Sequence, residues 1–189
     1  AEYQNAYQYL DECMRGCEIF DFIVYTGRLT NALKSADEQK ILEAAFHIKD
    51  IISDIYKDYN PPSDKKTMKA MLKLYRDDVP EKFHPDFYAD VIDKKFRGSI
   101  DRFVDDMFAR SVFASEARLN AFLDKPRLKI LQNDPVVLTA ASVSEVRKEV
   151  AWELSRFEDN LSAGRRLWIA ALMEMIPEKT LYPDANSTM

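Results

Sequence analysis

The chain has 189 residues, of which 47% are apolar and 31% charged, and a net charge of −5. That is ample for one helical core, or for one domain plus a fragment of another, and it excludes a membrane span, since no apolar run approaches the roughly 18 residues a span needs. The acidic balance argues against nucleic acid, because Lys65-Lys66 and Lys94-Lys95 are pairs too short to make a phosphate-binding face. Glycine is scarce, at four residues, which disfavours a β-rich fold with many tight turns.

The predicted class is all-α. A first helix is expected from Glu2 to Tyr25, with Tyr3, Tyr7, Leu10, Met14 and Cys17 on one face and Gly27 as a break before Arg28 to Lys34. Cys13 and Cys17 fall on neighbouring turns of that helix. They read as small apolar residues in a helix contact, with a redox or metal pair as the alternative, since no further Cys or nearby His completes a site. The aromatics Tyr3, Tyr7, Tyr9, Phe20, Phe22 and Tyr25 crowd more than one face, as for burial between two layers or for one side resting on a partner domain.

Ser35 or Asp37 can cap the next helix, about Asp37 to Tyr59, whose buried stripe would be Ile41, Ala45, Ile48, Ile52, Ile55 and Tyr59. Asn60-Pro61-Pro62 ends it, and Ser63 or Asp64 starts a third helix carrying Met68, Met71, Leu72 and Tyr75, closed by Pro80. Pro85 to Phe96 reads as a helix stopped by Gly98. Ser99 can cap a fifth with Ile100, Phe103, Val104, Met107 and Phe108, and Ser115 a sixth, about Glu116 to Leu123. Residues Arg127 to Gln132 make one loose turn.

The longest element is expected from Pro135 to Met175. Asp134 can accept its first unpaired amides, and proline suits the first helical position. The apolar residues Val143, Val146, Val150, Leu154, Phe157, Leu161, Trp168, Leu172 and Met175 step by three and four. At about 1.5 Å per residue the helix would be about 60 Å long. Gly164 interrupts its seam before Arg165-Arg166, at a cost of about 1 kcal/mol against Ala, which points to close approach by another backbone, with a hinge as the alternative. Ala1 opens directly into helical periodicity and Ser187-Thr188-Met189 stops without a turn or cap, so the expectation is of a piece cut from a larger chain.

The chemistry-bearing residues make no complete set. Glu43, His47, Asp50 and Asp54 share a narrow arc of the second helix, as metal ligands in bundles do. That arc lies opposite the isoleucine stripe, however, so a solvated face is expected and no metal or cofactor is assigned. His84, in Lys82-Phe83-His84-Pro85, is expected in a surface turn. There is no Gly-x-Ser-x-Gly elbow, Gly-rich phosphate loop or His-Glu-x-x-His. No catalytic, cofactor-binding or metal residue is assigned.

Near the end stands Leu181-Tyr182-Pro183-Asp184-Ala185-Asn186-Ser187-Thr188, preceded by Met173-Glu174-Met175. Upstream, in the same order, stand Tyr56-Lys57-Asp58-Tyr59-Asn60 with Asp64-Lys65-Lys66, then Ile92-Asp93-Lys94-Lys95-Phe96-Arg97-Gly98, then Ser111-Val112-Phe113-Ala114-Ser115-Glu116. Together these stretches resemble the bacterial serine dipeptidyl peptidases, the dipeptidyl-peptidase 7 and 11 group, from about Ile55 onward; the first third matches only as a helical stretch. The resemblance implies a helical domain inserted into a trypsin-like double β-barrel and capping its cleft. Residues 1–181 would be the cap, and 182–189 the truncated start of the return into the second barrel. The family's catalytic His and Asp would lie before this region and its Ser after it, so the piece alone would be inert. The parent would remove dipeptides from the N-termini of oligopeptides, in the periplasm or at the cell surface, as a homodimer. Pro177 and Pro183 would stiffen the link from the long helix to the barrel. The alternative is a non-enzymatic helical interaction module.

Overall fold

The structure, a computed structural model, describes residues 2–175. Among them there is no strand. The chain divides into two units, Ala1–Val150 and Ala151–Met189. The expected boundary after Leu181, the prolines Pro177 and Pro183 and the return segment from Tyr182 all lie outside the described residues.

The first unit opens with α1 (Glu2–Gly16). The expected continuous helix to Tyr25 is not formed. The backbone turns extended at Cys17 (φ −117°, ψ 97°), makes a tight 3-10 turn over Glu18–Phe20, and only then enters α2 (Asp21–Tyr25) and α3 (Gly27–Ser35). The reason is tertiary: Asp64 accepts the amides of Glu18 and Ile19 at 2.9 and 3.0 Å, giving a new helical start the donors it would otherwise leave unpaired.

Helix α4 (Glu38–Tyr56) is capped by Asp37, whose side chain accepts the Lys40 amide. Ala45, Ile48 and Ile52 are buried and Ile41, Ile55 and Tyr59 half-buried, as the stripe predicts. Helix α5 (Pro61–Asp78) begins earlier than expected. Its cap is Asn60, whose side chain accepts the Ser63 amide at 3.1 Å, and the two prolines start the helix instead of merely ending the one before. Asp64 is thereby freed to point inward.

The Pro85 to Phe96 stretch is helical from Phe87 but wider than an α-helix. Tyr88–Asp93 forms a π-helix that runs on into the single turn α6 (Lys94–Phe96). Arg97 and Gly98, at φ 55° and 78°, then reverse the chain; glycine carries the second left-handed position without strain. Helices α7 (Ile100–Arg110) and α8 (Glu116–Asp124) follow with the expected caps Ser99 and Ser115, and α9 (Leu128–Gln132) is the predicted turn. The last element is α10 (Pro135–Met175).

Within the first unit α1 packs on α5, α3 on α4, α5 on α7 and α4 on α8. The core joins Leu10, Ile19, Leu29, Ile48, Met68, Leu72, Ile92 and Phe113, with Val136, Val143 and Val150 of α10 also buried. Tyrosine hydroxyls that enter it each find a carbonyl: Tyr56 donates to Phe113, Tyr75 to Phe83 and Tyr88 to Leu72, at 2.8, 2.8 and 2.7 Å. Burial without a partner would cost each hydroxyl more than its ring gains in local packing. The aromatics of the first stretch serve this packing too: Phe22 lies 4.5 Å from Tyr56 and 4.8 Å from Tyr59, and Tyr3 4.9 Å from Phe83. Tyr25 instead remains 44% exposed.

In the second unit α10 continues to Met175 with the same apolar period, but most of its described side chains are exposed. Trp152, Leu161, Trp168 and Met175 are 66%, 55%, 65% and 78% accessible.

Candidate functional site

A concave surface that gathers Ser, His and Glu side chains lies between α3 and α4. It is an open groove of about 480 Å³ lined by Tyr25, Arg28 and Ser35 on one side and by Lys40, Glu43 and His47 on the other. The αL turn at Ala36 (φ 51°) brings α4 back along α3 and so forms the groove.

Ser35, His47 and Glu43 are the residue types of a nucleophile, base and acid, yet they are not linked. Ser35 donates its hydroxyl to the Ala32 carbonyl at 3.0 Å, a helix-terminal bond, and Glu43 accepts from Gln39 at 3.1 Å. Among the described residues no hydrogen bond connects these three side chains, so nothing activates the hydroxyl. Lys40 is engaged by Asp37, whose carboxyl its side chain and amide hold below the usual range. The groove mixes these polar groups with the apolar Ala32, Ala44 and Ile48, and Leu42 and Phe46 of α4 are also exposed.

The arc Glu43, His47, Asp50, Asp54 is solvent-exposed throughout, as the position opposite Ile48 and Ile52 requires. Among the described residues no group of three or more His, Cys, Asp or Glu side chains is placed to hold a metal. His84 is half-buried. The following proline keeps its backbone extended (φ −72°, ψ 128°), and its Nε2 lies 2.8 Å from the Val79 carbonyl while its ring rests 5.1 Å from Tyr88. It is a packed turn residue.

Cys13 and Cys17 are both free and buried, at 3% and 0% exposure. The hydrogen bond to Cys13, then burial and the nearby Asp64 carboxylate, push the Cys17 thiol well up, so it stays protonated and unreactive.

The carboxylates that sequence reasoning underrated are the buried ones. Asp134 does cap α10, accepting the Val136 amide at 2.9 Å, but it also receives the Ser111 hydroxyl at 3.0 Å and the Val112 amide at 2.8 Å. Asp64 additionally receives the Tyr59 hydroxyl at 3.1 Å. Both are brackets between distant segments, and burial raises both carboxyls above the ordinary Asp range despite these donors. The only signal in the sequence was an Asp at a helix start; where its second oxygen points is decided by packing.

Arg147 of α10 ties that helix to α1. It pairs with Asp11 at 2.6 Å, donates to the Tyr7 hydroxyl at 3.3 Å and lies 5.3 Å over the Tyr7 ring. Lys65 and Lys69 of α5 both reach Asp105 of α7, at 2.8 and 2.6 Å. These charged side chains are structural clasps, and the described residues hold no assembled catalytic set.

Relatives supply what the geometry alone does not. The chain is 35% identical to the Asp/Glu-specific dipeptidyl-peptidase of Porphyromonas gingivalis over 191 aligned residues, 100% of this chain and 26% of that protein. It is 31% identical to the dipeptidyl-peptidase 7 of Phocaeicola vulgatus, over 86% of this chain and 22% of that protein. The chain thus spans about a quarter of the length of these curated relatives. Among solved structures it resembles Porphyromonas endodontalis DPP11 in complex with the dipeptide Arg-Glu, with a TM-score of 0.68 and 27% identity over 97% of this chain and 26% of that one. A second structure of that protein, in an alternate conformation, matches with a TM-score of 0.64 and 26% identity, over 98% of this chain and 28% of that one. The model of the family described as Peptidase S46 matches residues 1–189. The chain therefore belongs to the Peptidase S46 family.

Proposed function

We propose that this chain is the helical cap region of a serine dipeptidyl peptidase that removes dipeptides from the N-termini of oligopeptides. The observation that carries the reading is the pattern of the likeness: 35% identity spread over the whole chain, yet over only 26% of the relative. What is shared is one region of a much larger peptidase. The all-helical architecture of the described residues is consistent with a region that shapes access while the chemistry lies elsewhere in the parent.

In the parent, a Ser would attack the peptide carbonyl, a His would take its proton and an Asp would orient the His. The helical region would roof a cleft between two β-barrels and leave room only for a free chain end. Closure over a bound dipeptide unit would expel water and hold the scissile bond in place. The parent is proposed to be a homodimer in the periplasm or at the cell surface.

The test uses the full-length product of the gene. Incubated with peptides bearing free or acetylated N-termini, it should release dipeptides from the free ones and leave the acetylated ones intact, and a serine-directed reagent should abolish turnover. Equal cleavage of both sets would overturn the access-limiting role, and persistence of turnover after the reagent would overturn the serine mechanism.

A further inference from the structure

Beyond Val150 one set of the long helix's apolar residues recurs every seven positions. Leu154, Leu161, Trp168 and Met175 occupy one position of that heptad, and Gly164 and Ala171 follow three residues after Leu161 and Trp168. A sustained heptad is the pattern of a helix packed along a second helix, which neither a sheet nor a loop imposes. Yet Leu161, Trp168 and Met175 are 55%, 65% and 78% exposed.

Gly164 is an independent sign. It stands in mid-helix, where glycine is the least favourable residue after proline. Its backbone is not among the positive-φ positions, and a Cβ built there would meet nothing within 4 Å. Neither conformation nor crowding among the described residues accounts for it. Close approach by another backbone would.

We propose that residues 151–175 of α10 are the seat for a second α-helix of the same parent polypeptide, from outside residues 1–189, crossing at Gly164. The inference rests on the reading of this chain as part of a larger peptidase. The relatives supply the occupant's source: this chain covers 26% and 22% of the two curated enzymes and 26% of the DPP11 chain, so the larger part of each lies elsewhere. The pattern supplies its chemistry. Small residues at Gly164 and Ala171 leave room for large apolar side chains on the docking helix, and Arg165, which flanks that seam, calls for an acidic residue beside the crossing.

The test compares Gly164→Ala and Gly164→Leu in the 189-residue chain and in the full-length product. In the 189-residue chain both substitutions should raise helicity at 222 nm, because only helix propensity acts on them. In the full-length protein Gly164→Leu should lower Tm by several degrees, because the added side chain meets the docked backbone. Opposite signs support the seat. An unchanged or raised Tm in the full-length variant overturns it. So does sedimentation showing the 189-residue chain as a dimer that Gly164→Leu dissociates, since the occupant would then be a second copy. Peptidase assay of the full-length parent separates the two readings. Opposite signs without dipeptide release remove the peptidase reading and keep the seat, whereas release with a raised Tm removes only the seat.

Discussion

The carboxylate of Asp64 accepts the backbone amide of Ile19 at 3.0 Å across 45 residues of chain, and its other oxygen takes the amide of Glu18 at 2.9 Å. One side chain at the start of α5 thus caps the tight turn that divides α1 from α2. With Asp64 only 5% exposed, neither amide has water as an easy alternative.

Asp64→Asn should therefore be costly although it is nearly isosteric. An amide side chain has one acceptor oxygen, so its NH2 would face a backbone N–H. The expected loss is about 2–3 kcal/mol, or roughly 4–12 °C in Tm for a chain of this size. Thermal melts followed by circular dichroism measure it, and an unchanged Tm would show that the turn holds itself.

Asp134 gives a pH signature. Burial raises its carboxyl above the ordinary 3.8, and the amides of Val112 and Val136 and the Ser111 hydroxyl oppose that without cancelling it. With the folded pKa above the unfolded one, the contribution is fully present below pH 3.8 and is lost as pH rises through the raised value. The Tm of the wild type minus that of Asp134→Asn should accordingly fall as pH is raised from the ordinary value towards neutrality. A difference that grows with pH would mean that the hydrogen bonds outweigh burial.

Tyr88→Phe keeps the ring against Phe87, 4.5 Å away, and removes only the hydroxyl that reaches Leu72 at 2.7 Å. Leu72 lies within α5, so its carbonyl keeps its helical donor, and loss of the second bond should cost about 1 kcal/mol. Urea unfolding should show a lower midpoint at unchanged slope; a midpoint equal to the parent's would argue that the carbonyl finds another donor.

His47→Ala should be silent. The side chain is exposed on a solvated arc, and surface substitutions of that kind stay within about 0.5 kcal/mol. Zinc should not shift the Tm in any way that this substitution removes. A zinc-dependent gain lost in the variant would restore the metal reading of Glu43, His47, Asp50 and Asp54.

The 189-residue chain by itself should show no peptidase activity, since Ser35, His47 and Glu43 line one groove without a hydrogen bond among them. A panel of fluorogenic dipeptide substrates is the measurement. Turnover that a serine-directed reagent blocks would refute the expectation.

Much of the architecture was legible because its causes are local. Asp37, Ser99, Ser115 and Asp134 each cap a helix by reaching an amide two or three residues on, so the signal and its effect share one short window. The stripe Ala45, Ile48, Ile52 is likewise buried because a 3.6-residue period puts those positions on one side. The family resemblance rested on equally contiguous stretches. The break at Cys17 was not legible, because helical spacing continues through it and its cause, Asp64, lies beyond α4. Nor was the π-helix over Tyr88–Asp93, inside a stretch whose spacing also suits an α-helix. The sequence by itself determined which segments are helical and where most of them begin. Tertiary structure alone decided which equivalent apolar positions are covered. Val143 and Val150 are buried while Leu161 and Trp168, on the same period, are exposed; period sets which side of a helix a residue occupies, and only a packed neighbour can exclude water from that side.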